Sequence, residues 1–209
     1  MPGIVGLITK QPRPWAVAQL RQMMATLRHQ ASYQTGTWID ESLGVYVGWV
    51  ERKDAFSNEM PLQNERMDRI LVFSGEEFCE PQTIDRLRER GHEFKGEGSA
   101  YLVHLSEEEE RFPKGLNGKF HGLLVNRATG TSTLFNDRFG MRRIYYHQSP
   151  DSFYFAAEAK AILSVLPELR QSNTRSLGEF VACGCVLEDR TLFEDVHVLP
   201  AASAWQFRN

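Results

Sequence analysis

A chain that opens on Gly3-Ile4-Val5-Gly6-Leu7-Ile8 commits its amino terminus to its own interior. Ile4, Val5, Leu7 and Ile8 are apolar and mostly β-branched, as in a buried strand, and Gly3 and Gly6 permit close approach of neighbouring backbone. First residues placed in a core suit chemistry at the amino terminus, with a side chain as nucleophile and the chain's own α-amine as base. The residue standing there is Pro2, whose pyrrolidine ring carries neither thiol nor hydroxyl.

At 209 residues, 42% hydrophobic and 24% charged, the chain is long enough for one well-buried domain, residues 1–209. A formal charge of −3 with interspersed signs provides no basic face for nucleic acid and no polybasic membrane anchor. Neither an apolar run near ~20 residues nor a signal-peptide pattern is present, so a cytoplasmic location is expected. Cys79, Cys183 and Cys185 read as small structural thiols. Histidines at 29, 92, 104, 121, 147 and 197 give no pair at a metal-ligating spacing, so metal binding is not expected. Nor does any Gly-x-x-x-x-Gly-Lys loop offer an ATP phosphate site.

Periodicity then sets the elements. Residues 10–14 form a turn, and Trp15 opens a helix with Val17, Leu20, Met24 and Leu27 at helical spacing. Residues 29–38 read as a loop broken by Gly36, residues 43–50 as a strand, and residues 51–68 as irregular. A strand at 70–73 is expected to stop at a Ser74-Gly75-Glu76 loop. Helices follow at 83–90, with Gly91 past its end, and from Ser99 into the acidic run Glu107-Glu108-Glu109-Glu110, which reads as a solvated helix end. Strands at 123–125, 133–135, 144–146 and 153–155, helices at 158–165 and 176–183, and a strand at 203–207 complete an α+β layered domain.

Longer segments carry a resemblance. Met1-Pro2-Gly3-Ile4-Val5-Gly6 is similar to the Met-Cys-Gly-Ile-x-Gly start of the class II glutamine amidotransferase domain that heads glutamine-hydrolysing asparagine synthetases. Leu116-Asn117-Gly118-Lys119-Phe120 resembles that family's Leu-Asn-Gly-x-Phe, and Asn136-Asp137-Arg138-Phe139-Gly140 its Arg-Asp-Arg-x-Gly. Phe155-Ala156-Ala157-Glu158-Ala159-Lys160-Ala161 is similar to Phe-Ala-Ser-Glu-x-Lys-Ala, and Thr191-Leu192-Phe193 with Leu199-Pro200 to its closing Thr-Ile-Phe and Leu-Pro. The resemblance implies the four-layer αββα sandwich of the N-terminal nucleophile hydrolases.

What it implies for the site runs the other way. The family's nucleophilic cysteine is Pro2 here, the arginine that holds the glutamine carboxylate is Trp49, and the oxyanion-hole asparagine is Ser74. The aspartate that receives the substrate amine aligns near Gly98, and the family's His-Arg-Gly-Pro-Asp becomes His29-Gln30-Ala31-Ser32-Tyr33. Gly75 and Glu76 are retained. A catalytic fold is therefore expected to persist as a non-catalytic scaffold whose glutamine pocket is gone. Its implied partner is an asparagine-synthetase-like domain, in cis or in trans, with ATP and Mg²⁺ needed only there and none in this domain; a homodimer is allowed, and nucleic acid and membrane are not expected partners. The alternatives are an enzyme using the Pro2 amine as base or nucleophile, and a residual glutaminase.

Overall fold

The computed structural model describes residues 3–57, 59–94 and 98–208. In chain order the elements are β1 (Gly3–Thr9), α1 (Arg13–Leu27), β2 (Gln34–Asp40), β3 (Val45–Glu51), β4 (Leu62–Gln63), β5 (Arg69–Glu77), α2 (Pro81–Glu89) and α3 (Tyr101–Glu108). They continue through β6 (Gly118–Asn126), β7 (Thr131–Asn136), β8 (Tyr145–Gln148), β9 (Ser152–Ala156), α4 (Ala159–Val165), α5 (Thr174–Cys183), β10 (His197–Val198) and β11 (Ala204–Arg208). Two sheets result, ordered β10-β8-β9-β1-β3-β2 and β11-β7-β6-β5-β4, and every strand pairing within them is antiparallel.

The period-two alternation of the central strands builds four layers. Ile4 of β1 and Val45, Val47 and Trp49 of β3 meet Ile70, Val72, Leu123, Val125 and Leu134 between the sheets. The alternate residues Val5, Leu7, Tyr46 and Val50 face Ala16, Leu20, Met23 and Leu27 of α1 and Ala161 and Ile162 of α4. On the far side Leu71, Phe73, Phe120 and Phe135 pack on Leu87 of α2 and on Tyr101, Leu102 and Leu105 of α3. Each fully buried Val, Leu, Ile, Phe or Met among these contributes roughly 1.5–3 kcal/mol. This is the αββα sandwich expected from the resemblance. β1 is covered on both faces and paired on both edges, by β3 and by β9.

Several elements differ from the sequence reading. The stretch expected as a loop at 29–38 contains most of β2, which pairs with β3 along its full length. Gly36 is not a breaker there: it lies opposite Trp49, and a Cβ at that position would come within 2.1 Å of the indole Cζ2, so glycine makes room for the ring. β5 does not stop at Phe73 but runs through Ser74, Gly75 and Glu76, held in register by β6. The short β10 was not foreseen; its two residues pair with β8, and His197 also bridges Arg190. Of the cysteines, Cys183 and Cys185 are exposed and Cys79 is half-buried, so the expected structural-thiol role fails for the first two. Among the described residues, no helix is long and apolar enough to cross a membrane.

Candidate functional site

β3 ends where β1 begins, because the antiparallel register sets Gly3 opposite Val50. At this end of the molecule a cleft of about 490 Å³ is lined by Gln30, Ser32 and Tyr33, by Glu51 to Ser57, by Ser74, Gly75 and Glu76, and by Arg142. Ser74, Gly75 and Glu76, which the resemblance places beside the glutamine site, line this open space. Pro2 lies outside the described residues. Trp49 is not in the lining; it is built into the core between the sheets. Gly98 also stands outside it; the next residue, Ser99, donates its N–H to the carbonyl of Phe56, which lies on the cleft wall. Glu76 sits exposed at the rim, on a strand rather than at the tip of a loop.

Gly75 has a backbone reason to be glycine whatever the chemistry. Its φ is +128°, and a Cβ would fall 2.1 Å from the carbonyl oxygen of Lys119 on β6. We expect Gly75→Ala to destabilise the fold by at least about 2 kcal/mol in urea unfolding. A loss below 0.5 kcal/mol (roughly the noise of surface substitutions) would show that the strand accommodates a side chain.

The cleft holds a group that motif comparison missed. Glu51, at the end of an otherwise apolar strand, is buried, and its Oε2 has no hydrogen-bond partner among the described residues. Burial raises its pKa to about 7 against weaker opposing hydrogen bonds from the Trp49 and Ser57 side chains. A carboxyl group poised there can donate or accept a proton near neutrality. Arg52, Lys53 and Arg142 line the same cleft, so positive charge is present although the expected clamp position is an indole. The only sequence signal for Glu51, Arg52 and Lys53 was their position, directly after the apolar run that ends at Val50.

Beneath the cleft, His121 on β6 is paired across from Ser74 and is fully buried. Its Nε2 accepts the Ile4 N–H at 3.3 Å, and its Nδ1 faces the Arg142 carbonyl at 3.4 Å, which fixes the Nδ1–H tautomer. Burial, reinforced by the Arg142 charge, lowers its pKa to about 4, so the ring is neutral at pH 7. It serves as a fastening for the start of β1.

Arg142 reaches the cleft from the loop after β7, and one carboxylate organises that loop. Asp137 is fully buried; its Oδ1 accepts the N–H groups of Phe139 and Met141, both at 3.0 Å, and its Oδ2 those of Arg142 at 3.0 Å and Phe120 at 3.3 Å. Held this way, the loop presents Phe139 and Met141 to solvent. Phe139 borders a second cavity, of about 550 Å³, whose lining includes Phe180 of α5 and Leu192, and Val181 is exposed on the same helix.

Residues 1–209 match a family described as the glutamine amidotransferase domain. Asparagine synthetase (glutamine-hydrolyzing) 1 of Bacillus subtilis is 24% identical over 212 residues, covering 99% of this chain and 33% of the relative. A putative asparagine synthetase (glutamine-hydrolyzing) 1 of Methanocaldococcus jannaschii is 25% identical over 187 residues, covering 79% of this chain and 34% of that protein. The chain therefore spans about a third of the length of these relatives. Among solved structures, the glutamine phosphoribosylpyrophosphate amidotransferase of B. subtilis, complexed with ADP and GMP, is similar with a TM-score of 0.61 and 16% identity, over 78% of this chain and 43% of that one. A structure described as the allosteric regulatory enzyme of purine biosynthesis gives a TM-score of 0.62 with the same identity and coverage. At that identity the likeness speaks for the fold alone.

Proposed function

Because the chain belongs to the glutamine amidotransferase domain family, we propose that it is a non-catalytic member, kept as a structural and docking module for an asparagine-synthetase-like, ATP-dependent amide-forming domain. The observation that carries this reading is Pro2, which puts a ring with neither thiol nor hydroxyl where the family places its cysteine. Removal of a nucleophile alone costs on the order of a millionfold in rate. Trp49 in the core, Ser74 in place of the oxyanion asparagine and Gly98 outside the cleft lining support the same reading. The exposed Phe139, Met141, Phe180 and Val181 suit a surface that a synthetase domain covers, in cis or in trans. ATP and Mg²⁺ would be needed only by that partner, which would work in the cytoplasm on free ammonia or another amine.

Glutamate release from L-glutamine, assayed on the wild type and on Pro2→Cys, tests this. No turnover is expected from either protein, since the carboxylate clamp and oxyanion donor are altered as well as the nucleophile. Turnover by Pro2→Cys would mean that the cleft still grips glutamine in a reactive pose, and the reading would fall. The cleft wall carries Arg52, Lys53 and Arg142 beside Glu51, Asp54 and Glu76, which favours a second reading in which it holds a small ligand bearing both charges, such as an amino acid, without converting it. Calorimetric titration with L-glutamate distinguishes that from an empty scaffold.

A further inference from the structure

The acidic run that closes α3 is not wholly the solvated helix end that was expected: Glu110 is exposed, but Glu107 is not. Glu107 leaves only 10% of its side chain exposed, and it lies in a cluster that three separate segments assemble. The loop after β4 supplies Glu65, the chain leaving α2 supplies His92, and α3 supplies His104 and Glu107 one turn apart. One ligand atom from each of the four lies within 4.8 Å of the others. Glu65 Oε1 is 3.5 Å from His104 Nδ1 and 3.7 Å from His92 Nδ1, while Glu107 Oε2 is 3.8 Å and 4.0 Å from the same two nitrogens. These separations are too long for direct N–H···O hydrogen bonds.

A second observation marks the centre of the cluster as a place for a ligand. His104 is 2% exposed, and its Nδ1, directed at the two carboxylates, has no hydrogen-bond partner among the described residues; Glu107 Oε2 is also buried and unpartnered. Leaving one such atom unsatisfied is costly, and native structures seldom tolerate two that converge. The outward ends of the same groups are held. His92 Nε2 lies 3.1 Å from Glu108 Oε1, and Glu107 Oε1 accepts from Asn64 Nδ2 at 3.0 Å and Arg66 Nη2 at 2.6 Å. Glu65 Oε1, itself the inward-facing oxygen, also accepts the Glu93 N–H at 3.1 Å, and the His104 ring stacks on Phe94 with centroids 5.2 Å apart. Carboxylates and amides that orient ligating groups in this way are the usual surroundings of a metal.

We propose that Glu65, His92, His104 and Glu107 form a structural site for a divalent transition-metal ion, with Zn²⁺ the best match. Two imidazole nitrogens and two carboxylate oxygens suit Zn²⁺ in tetrahedral geometry and disfavour Mg²⁺ and Ca²⁺, which take oxygen donors. Bonds of about 2.0–2.2 Å to a central ion put tetrahedral ligands roughly 3.3–3.6 Å apart; the N···O separations of 3.5 to 4.0 Å would close by up to about half an ångström, and any pair at the 4.8 Å limit by about 1.2–1.5 Å, through rotation of the Glu65 and His92 side chains. Four protein ligands leave no open coordination position, so the ion would pin the β4–β5 loop and the α2–α3 connection onto α3 rather than activate water.

The chain purified without a histidine tag and stripped with a chelator should take up one equivalent of Zn²⁺ by calorimetry. Co²⁺ should produce the intense visible bands of a tetrahedral site. Zn²⁺ at roughly one hundred times its Kd should raise Tm by about 5–10 °C. Because His104→Ala removes a core ring and can fail to fold, Glu65→Gln and His92→Ala carry the assignment. Each should weaken Zn²⁺ binding by at least about 100-fold, since even outer-shell changes cost 10–100-fold. No tetrahedral Co²⁺ spectrum from the wild type, or Zn²⁺ affinity unchanged in both variants, would overturn the site.

Discussion

Asp137→Ala is expected to destabilise the protein by about 3–5 kcal/mol, because four backbone N–H groups lose one common acceptor inside a buried turn. Each donor left unsatisfied costs on the order of 1–3 kcal/mol, less whatever water recovers once the loop opens. Asp137→Asn should fall between the variant and the wild type, since the amide keeps one oxygen and places a donor where the other stood. Urea unfolding of the three proteins measures the series. The loop should also lose order, which limited proteolysis after Arg138, Arg142 or Arg143 would register as faster cleavage. A loss under 1 kcal/mol for Asp137→Ala would mean that the loop stands without its carboxylate. The same residue links both halves of the proposed function, because the turn it organises sends Arg142 to the cleft and Phe139 to the apolar surface.

Glu51→Gln is expected to stabilise the protein by about 3 kcal/mol above pH 7 and to change little below pH 4.5. Burial raises the folded pKa of Glu51 to about 7 from 4.5, so the unfolded chain releases its proton first as pH rises. Stability linked to this group is therefore whole below the unfolded value and is lost as pH climbs through the folded one. Glutamine has nothing to titrate and escapes that loss. His121 runs in the opposite direction, because its folded pKa of about 4 lies below the ordinary 6.5. Its contribution is present above pH 6.5 and is lost as pH falls toward 4. Both proteins share that acid-side loss, so the difference between them isolates Glu51. Unfolding measured at pH 4.5 and pH 8 decides the matter: an equal difference at the two values would show that the carboxyl is not held protonated by its surroundings.

Much of the layered fold could be read directly from residue patterns, and the failures share a cause. The short apolar runs Ile70 to Phe73 and Leu123 to Val125 identify strands that a sheet then confirms in register. Gly36 and Gly75 misled because glycine punctuates a chain in isolation but also makes room for a neighbour. Trp49 across the sheet and the Lys119 carbonyl are the neighbours here, and neither is near in sequence. The resemblance identified the family, and it located the cleft through Ser74, Gly75 and Glu76. It could not identify Glu51, whose importance comes from desolvation, or Arg142, which the Asp137 turn brings in from another layer. The cluster of Glu65, His92, His104 and Glu107 was hidden for the same reason: only His104 and Glu107 share an element, and their spacing alone carries no metal signature.

The interior position of β1 sets a timetable for biogenesis. Its hydrogen bonds to β3 close a short stretch of chain, but its other edge waits for β9, as in the pairing of Gly6 with Phe155. At roughly 5–20 residues per second of synthesis, that partner emerges from the ribosome about 7–30 s after the first strand. Through that interval an apolar strand has an unsatisfied flank, and native closure of the six-stranded sheet is a late, long-range event.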